Sequence, residues 1–248
     1  MRTPMMRFLL VFLSFILLCS TADALPRLEV VTEEWRPYNY LDENGTLIGG
    51  ATEKVKRVLD KAGVEYEMQV YPWVRALKIA RQKPNTLIYS IFRTPERESW
   101  FHWGCPLLQP VKEYVFTLKS RKDIKIRTLE DAKQYITSTV RGSVGHDFLV
   151  NQGFEAGKNL DVAADASAIP RKLLAGRVDL TMTTEYTMFE ALKHIGMPYD
   201  LVERGIEIKE VDTNRACFAF NLDSDPALIN IVLKALEEDN KDPSVVQP

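Results

Sequence analysis

The sequence has little cysteine, little histidine and no block of like charge. Three cysteines in 248 residues are too few for a disulfide scaffold and lack the spacing of a zinc site. Three isolated histidines, without a His-Glu-x-x-His or Gly-x-Ser-x-Gly pattern, give no catalytic constellation. The 32 basic and 34 acidic residues nearly cancel, which disfavours nucleic acid as a partner. We therefore expect no catalytic residue, no metal and no cofactor.

What is present is an ordinary globular composition behind an apolar N-terminal run. Hydrophobic residues make up 46% of the chain and charged residues 27%. Residues 8–18 are apolar except for Ser14, which is too short a run for a bilayer core of about 30 Å at about 1.5 Å per residue. Because small residues follow at Ala22 and Ala24, we predict a signal peptide over residues 1–24 and a periplasmic mature chain, with an uncleaved anchor as the alternative.

Export would leave two cysteines, Cys105 and Cys217, where disulfides can form. A bridge between them is one interpretation. Both lie in apolar stretches, and nothing in the sequence brings their Cα atoms within the ~7 Å that a bridge needs. We therefore expect two separate buried thiols.

The mature chain alternates strand and helix patterns, which predicts an α/β fold with mostly parallel sheets. The predicted strands cover residues 28–32, 66–71, 86–92, 114–118, 135–140, 160–163, 178–182 and 215–221. The predicted helices cover residues 51–62, 72–81, 147–152, 167–175, 185–194 and 225–238, with a short one capped by Thr128.

No Ser/Gly-rich linker divides the pattern, so two α/β lobes must be joined through their own strands. We predict lobe 1 over residues 25–109 plus 213–248 and lobe 2 over residues 110–212. The sequence leaves open which lobe holds the strand at 215–221. A cleft between two such lobes is a common place for a small-molecule site.

Aromatic residues lie at the ends of the predicted strands, where ligands collect in α/β proteins. They are Trp35, Tyr38, Trp73 and Tyr89. Such rings can sandwich a ligand or stack on a cation, although Tyr38 and Tyr89 fit a core role equally well.

Arginines and hydroxyl groups lie at neighbouring positions. Arg75 shares the first helical turn of Trp73, where an anion is favoured, and Arg97 can form two hydrogen bonds to a carboxylate. Thr94 can add a hydroxyl contact. Ser143 begins a helix of the other lobe, so it can either contact an anion or simply cap that helix.

In their order and spacing, these motifs resemble those of the family 3 periplasmic solute-binding proteins, the polar amino-acid type of ABC importers. The matching segments are Trp35-Arg-Pro-Tyr38, the turn at 42–45, Gly49-Gly50, Thr94-Pro-Glu-Arg97 followed by 100–103 and Pro106, Arg141-Gly-Ser143, and residues 174–179. The segment Tyr71-Pro-Trp-Val-Arg75 looks like a divergent subgroup of that family.

The resemblance implies a two-lobed, type II clamshell with roles for particular residues. Arg97 matches the arginine that holds a ligand carboxylate, and Trp35 matches an aromatic that stacks on the ligand. Ser90 and Thr94 match polar contacts of the first lobe, and Ser143 a contact of the second. Where the family has an acidic residue for the amino group, this chain has Thr184, with Glu185 beside it.

The resemblance predicts a monomeric periplasmic protein that captures an amino acid or organic acid for an ABC permease. Because Arg75 and Arg97 would both lie at the cleft, a ligand more negative than a simple zwitterion is expected. A sensory module for a membrane receptor is one alternative. A dehydratase-like enzyme on the same fold is another, with Glu34, Glu185 or His146 as its acid–base group.

Overall fold

The computed structural model describes residues 25–209, 211 and 216–242. The predicted signal peptide and its cleavage site lie outside these residues. Within them, no helix combines the length and apolarity needed to cross a membrane.

The first sheet has the strand order β4-β1-β5-β12-β6. Its strands are β1 (Leu28–Thr32), β4 (Tyr66–Val70), β5 (Thr86–Phe92), β6 (Phe101–Gly104) and β12 (Ala216–Asn221). Strand β1 pairs in parallel with β4 and β5, whereas β12 runs antiparallel to β5 and β6. The strand whose lobe the sequence left open therefore belongs to the first sheet, and the sheet is mixed rather than mostly parallel.

Helices cover both faces of this sheet, so nearly every residue of β1, β5 and β12 is buried, with successive side chains pointing to opposite faces. Val30, Leu87 and Phe218 face a core shared with helices α1 (Gly50–Ala62) and α7 (Pro226–Lys241). The next residues along each strand, Val31, Ile88 and Ala219, pack on the other side against α2 (Trp73–Gln82). A short hairpin, β2 (Tyr40–Leu41) and β3 (Leu47–Ile48), precedes α1.

The second sheet has the strand order β11-β7-β10-β8-β9. Its strands are β7 (Glu113–Leu118), β8 (Thr137–Val140), β9 (Leu160–Ala163), β10 (Leu180–Thr184) and β11 (Val202–Ile208). Its helices are α3 (Leu129–Ala132), α4 (Val144–Asn151), α5 (Ala168–Leu174) and α6 (Glu185–His194). Lobe 1 and lobe 2 below denote the layers built on the first and second sheet, and the limits at 109/110 and 212/213 stay a prediction.

The expectation of two free thiols was wrong, because Cys105 and Cys217 form a disulfide with a Cα–Cα distance of 4.6 Å. Strands β6 and β12 are antiparallel neighbours, with Gly104 opposite Phe218, so each cysteine lies one residue beyond a paired position. Sequence spacing does not reveal this register. The disulfide joins the end of β6, where the chain leaves the first sheet, to β12, where the chain returns to it.

Candidate functional site

A cavity of about 830 Å³, its open mouth included, lies between the two sheets and is called here the central cavity. Its apolar wall comes from both lobes and includes Trp35, Trp73, Phe92, Val140, Val144, Ile169, Pro170, Met182 and Met188. Its ionisable groups are Glu33, Arg97 and Glu113. In the described part of the chain, no cluster of three or more metal-binding side chains occurs.

Half of the ten predicted site residues line this cavity. They are Trp35, Trp73, Ser90, Arg97 and Ser143. The other five are not among its lining residues: Tyr38, Arg75, Thr94, Thr184 and Glu185. Of the predicted aromatic residues and arginines, the cavity therefore brings together Trp35, Trp73 and Arg97.

Arg97 lies deep in the cleft and is 3% exposed. Its Nη2 donates to the carbonyl oxygen of Gly142 at 3.1 Å and to Asp147 Oδ2 at 3.3 Å, both in lobe 2. Its guanidinium also lies over the Trp73 ring, 5.6 Å from the centroid. A guanidinium has five N–H donors, so Arg97 keeps donors on Nε and Nη1 besides the two bonds made by Nη2.

Two indoles also donate across the cleft. Trp73 Nε1 donates to the carbonyl oxygen of Gly142 at 2.7 Å, and Trp35 Nε1 donates to Thr187 Oγ1 at 3.0 Å. Gly142 has φ +68°, a backbone conformation that favours glycine, and this turn aims its carbonyl at lobe 1. The lobes thus contact each other directly in a closed arrangement.

Ser90 is part of a hydrogen-bond network in the wall of the central cavity. It adopts φ +60°, an unusual conformation for a residue other than glycine, and is 4% exposed. Its hydroxyl donates to Asn39 Oδ1 at 2.6 Å, and Asn39 Nδ2 donates to the carbonyl oxygen of Glu33 at 2.7 Å. Ser90 therefore positions the backbone of an acidic residue of the cavity.

That acidic residue and a second one were missed by sequence reasoning. Burial raises the pKa of Glu33 to about 8, with Arg97 opposing the shift and Asp165 adding to it. Burial alone raises the pKa of Glu113 to about 7. Glu33 follows directly after β1, which was a signal in the sequence. The strand pattern could not tell, however, whether Glu33 or its neighbour Glu34 would face the cavity.

The remaining predicted residues have structural partners. The Arg75 side chain is exposed and lies over the Tyr71 ring, 4.4 Å from its centroid. Glu185 accepts from Tyr199 at 3.0 Å and pairs with Arg204. Thr184 caps α6 by accepting from the backbone N–H of Thr187 at 3.0 Å, and its hydroxyl donates to Thr187 Oγ1 at 2.8 Å.

Four further residues have capping or core contacts. Tyr38 and Tyr89 are both buried in the lobe 1 core, where the Tyr89 hydroxyl contacts Thr52 at 2.8 Å. Ser143 caps α4 through the backbone N–H of His146 at 3.1 Å while also facing the cavity. Thr94 is buried, and its carbonyl oxygen accepts from the Arg97 backbone at 3.0 Å.

Solved structures of similar fold include arginine-binding proteins and a sensor domain. An ancestral arginine-binding protein bound to arginine is 22% identical over 87% of this chain and 93% of that chain, with a TM-score of 0.73. An arginine-specific periplasmic binding protein of Salmonella typhimurium is 16% identical over 88% and 94%, with a TM-score of 0.74. A histidine kinase sensor domain with similarity to periplasmic binding proteins is 17% identical over 91% and 100%, with a TM-score of 0.78.

The family comparison covers most of the chain. No curated protein matches the sequence significantly. Residues 28–247, however, match the sequence profile of the bacterial extracellular solute-binding proteins, family 3. The chain therefore belongs to the family 3 bacterial extracellular solute-binding proteins.

Proposed function

We propose that this protein captures a small carboxylate-bearing solute of the amino-acid type in the periplasm and delivers it to an ABC importer. The observation that carries the proposal is the buried guanidinium of Arg97 in a cavity enclosed by both lobes. A buried cation favours an anionic partner, and a carboxylate can accept two of its hydrogen bonds.

The acidic groups of the cavity give the solute its orientation. With its carboxylate on Arg97, an amino acid can present its ammonium group to Glu33 or Glu113. Burial raises the pKa of both carboxyls, and Arg97 offsets this only in part at Glu33. They supply the acidic partner that Thr184 cannot, and Trp35 and Phe92 offer rings for the solute's body.

Capture is coupled to closure because the cavity wall comes from both lobes. A solute that contacts both lobes binds the closed form better, and so shifts the population towards it. The arginine-binding proteins of the same architecture support the amino-acid class of ligand.

A thermal-shift screen of amino acids and organic acids tests this proposal. A solute that binds one site at 100 times its Kd stabilises the folded protein by about 2.7 kcal/mol. We expect stabilisation of the wild type and little of Arg97→Gln. Equal stabilisation of both proteins would remove Arg97 from the site.

Signalling to a membrane receptor is the second candidate, favoured by the similarity to a histidine kinase sensor domain over 91% of this chain. Neighbouring genes for a permease and an ATPase would support transport, and a neighbouring receptor gene would support sensing. For the dehydratase-like alternative, recovery of the unchanged solute by mass spectrometry would exclude turnover.

A further inference from the structure

A second cavity of about 620 Å³, called here the side chamber, adjoins the central cavity. The two share wall residues, namely Ala166, Thr187 and Ala191. The side chamber therefore lies within reach of the far end of an elongated molecule bound in the central cavity.

The side chamber is lined by basic side chains from both lobes. Lobe 1 contributes Arg36, and lobe 2 contributes Arg171 and His194. The wall also contains an acidic residue, Glu34. Its Oε1 lies 3.4 Å from Arg36 Nη2, so it offsets the charge of Arg36. The charge of Arg171 remains without an acidic counterpart in this wall.

Arg36 is held in place by contacts within lobe 1. Its Nη2 donates to the carbonyl oxygen of Leu41 at 2.8 Å, and its guanidinium lies over the Tyr40 ring at 4.0 Å. Both of its described hydrogen bonds use Nη2, so the N–H groups on Nε and Nη1 have no partner among the described residues.

Arg171 differs from its neighbour on helix α5. Lys172 is paired with Asp161 at 2.7 Å, whereas the guanidinium of Arg171 has no ion pair or hydrogen bond with any described residue. His194, in the last turn of α6, lines the chamber as well. The chamber thus presents one guanidinium, that of Arg171, which no described carboxylate neutralises.

We propose that the side chamber binds the anionic end of an elongated solute whose amino-acid end occupies the central cavity. The solute class is an α-amino acid with a distal carboxylate or similar anion. The chamber's anion site stands on its own geometry, and only the placement of the amino-acid end rests on the proposed function. Because Arg36 and Arg171 lie on opposite lobes, the anion would also favour closure.

Inorganic phosphate, titrated into tag-free protein at constant ionic strength and pH, tests the anion site by NMR of the imidazole signals. The chain has three histidines, and His102, which lines neither cavity, serves as the internal reference for His194. We expect a saturable shift confined to His194, with affinity about tenfold weaker in Arg171→Gln. Arg177→Gln, an exposed arginine just beyond the same helix, should titrate like the wild type.

A shift that never saturates, or one that is unchanged in Arg171→Gln, would overturn the anion site. The titration needs no solute in the central cavity, so it can succeed where the amino-acid screen fails, or fail where the screen succeeds. The elongated solute is tested with lysine and 2-aminoadipate, which have side chains of similar length. We expect tighter binding of 2-aminoadipate, with the difference reduced in Arg171→Gln, and a preference for lysine would contradict the proposal.

Discussion

The indole of Trp73 in lobe 1 donates a 2.7 Å hydrogen bond to the carbonyl oxygen of Gly142 in lobe 2. The same oxygen accepts from Arg97 at 3.1 Å. One backbone carbonyl therefore receives both a closing contact and the guanidinium proposed to bind the solute. Closure and ligand binding share a group, so a change in one is expected to alter the other.

Trp73→Phe tests the closing contact. It keeps a ring in the wall but removes the N–H, which costs about 0.5–1.5 kcal/mol of closed-state free energy. We expect the ligand-free protein to be more open in small-angle X-ray scattering and its affinity for solute to fall by about tenfold or less. Trp103→Phe is the matched control, because that indole donates within lobe 1, to the Glu98 carbonyl at 3.0 Å. Equal effects of the two substitutions would contradict a specific role for Trp73.

The raised pKa of Glu33 predicts that the stability of the folded protein depends on pH. Its pKa is about 8 in the folded protein against 4.5 for an unperturbed glutamate, so between these values the folded state holds a proton that the unfolded chain has lost. Stability of the ligand-free protein should therefore fall as pH rises from 4.5 to about 8. In thermal melts over this range, Glu33→Gln should show a smaller decline.

Glu43→Gln, at an exposed position of the β2–β3 turn, provides the control for that measurement. If Glu33→Gln and Glu43→Gln showed the same decline, the titration would not belong to Glu33. Binding of a solute ammonium should strengthen over the same range, because ionised Glu33 is the better partner.

The disulfide predicts a large effect on stability. It closes a loop of 112 residues, and a loop of that size corresponds to about 5 kcal/mol in the chain-entropy model. The double variant Cys105→Ser/Cys217→Ser should unfold at markedly lower denaturant concentration. Wild-type protein with a reducing agent should behave like the double variant, and unchanged midpoints in both would contradict a stabilising bridge.

The fold was largely predictable because alternation and helical periodicity are local properties. The helix at Trp73–Gln82 shows where this reasoning stops. Its buried residues Trp73, Ala76 and Ala80 recur at helical spacing, and Arg75 lies about 200° around the helix from Trp73. The prediction that Trp73 and Arg75 share the first helical turn is confirmed. It does not determine the direction of each side chain, and only Trp73 lines the central cavity.

The missed features depend on contacts between distant parts of the chain. Glu113 and Thr187 enter the cavity only when the two sheets face each other, and no local pattern marks them. Cys105 and Cys217 become neighbours through strand register. The expectation of a ligand more negative than a zwitterion rested on Arg75 together with Arg97, and of these two only Arg97 lines the central cavity, whereas Arg36 and Arg171 line the side chamber.

The most direct test of the central claim is isothermal titration calorimetry with the best solute from the screen. The account predicts one solute per protein molecule and a loss of at least about tenfold in affinity for Arg97→Lys, since a lysine cannot form the paired hydrogen bonds. It also predicts wild-type affinity for Arg75→Lys, whose side chain lies outside the central cavity. Unchanged binding by Arg97→Lys, or an equal loss in both variants, would contradict capture by Arg97 in the cleft.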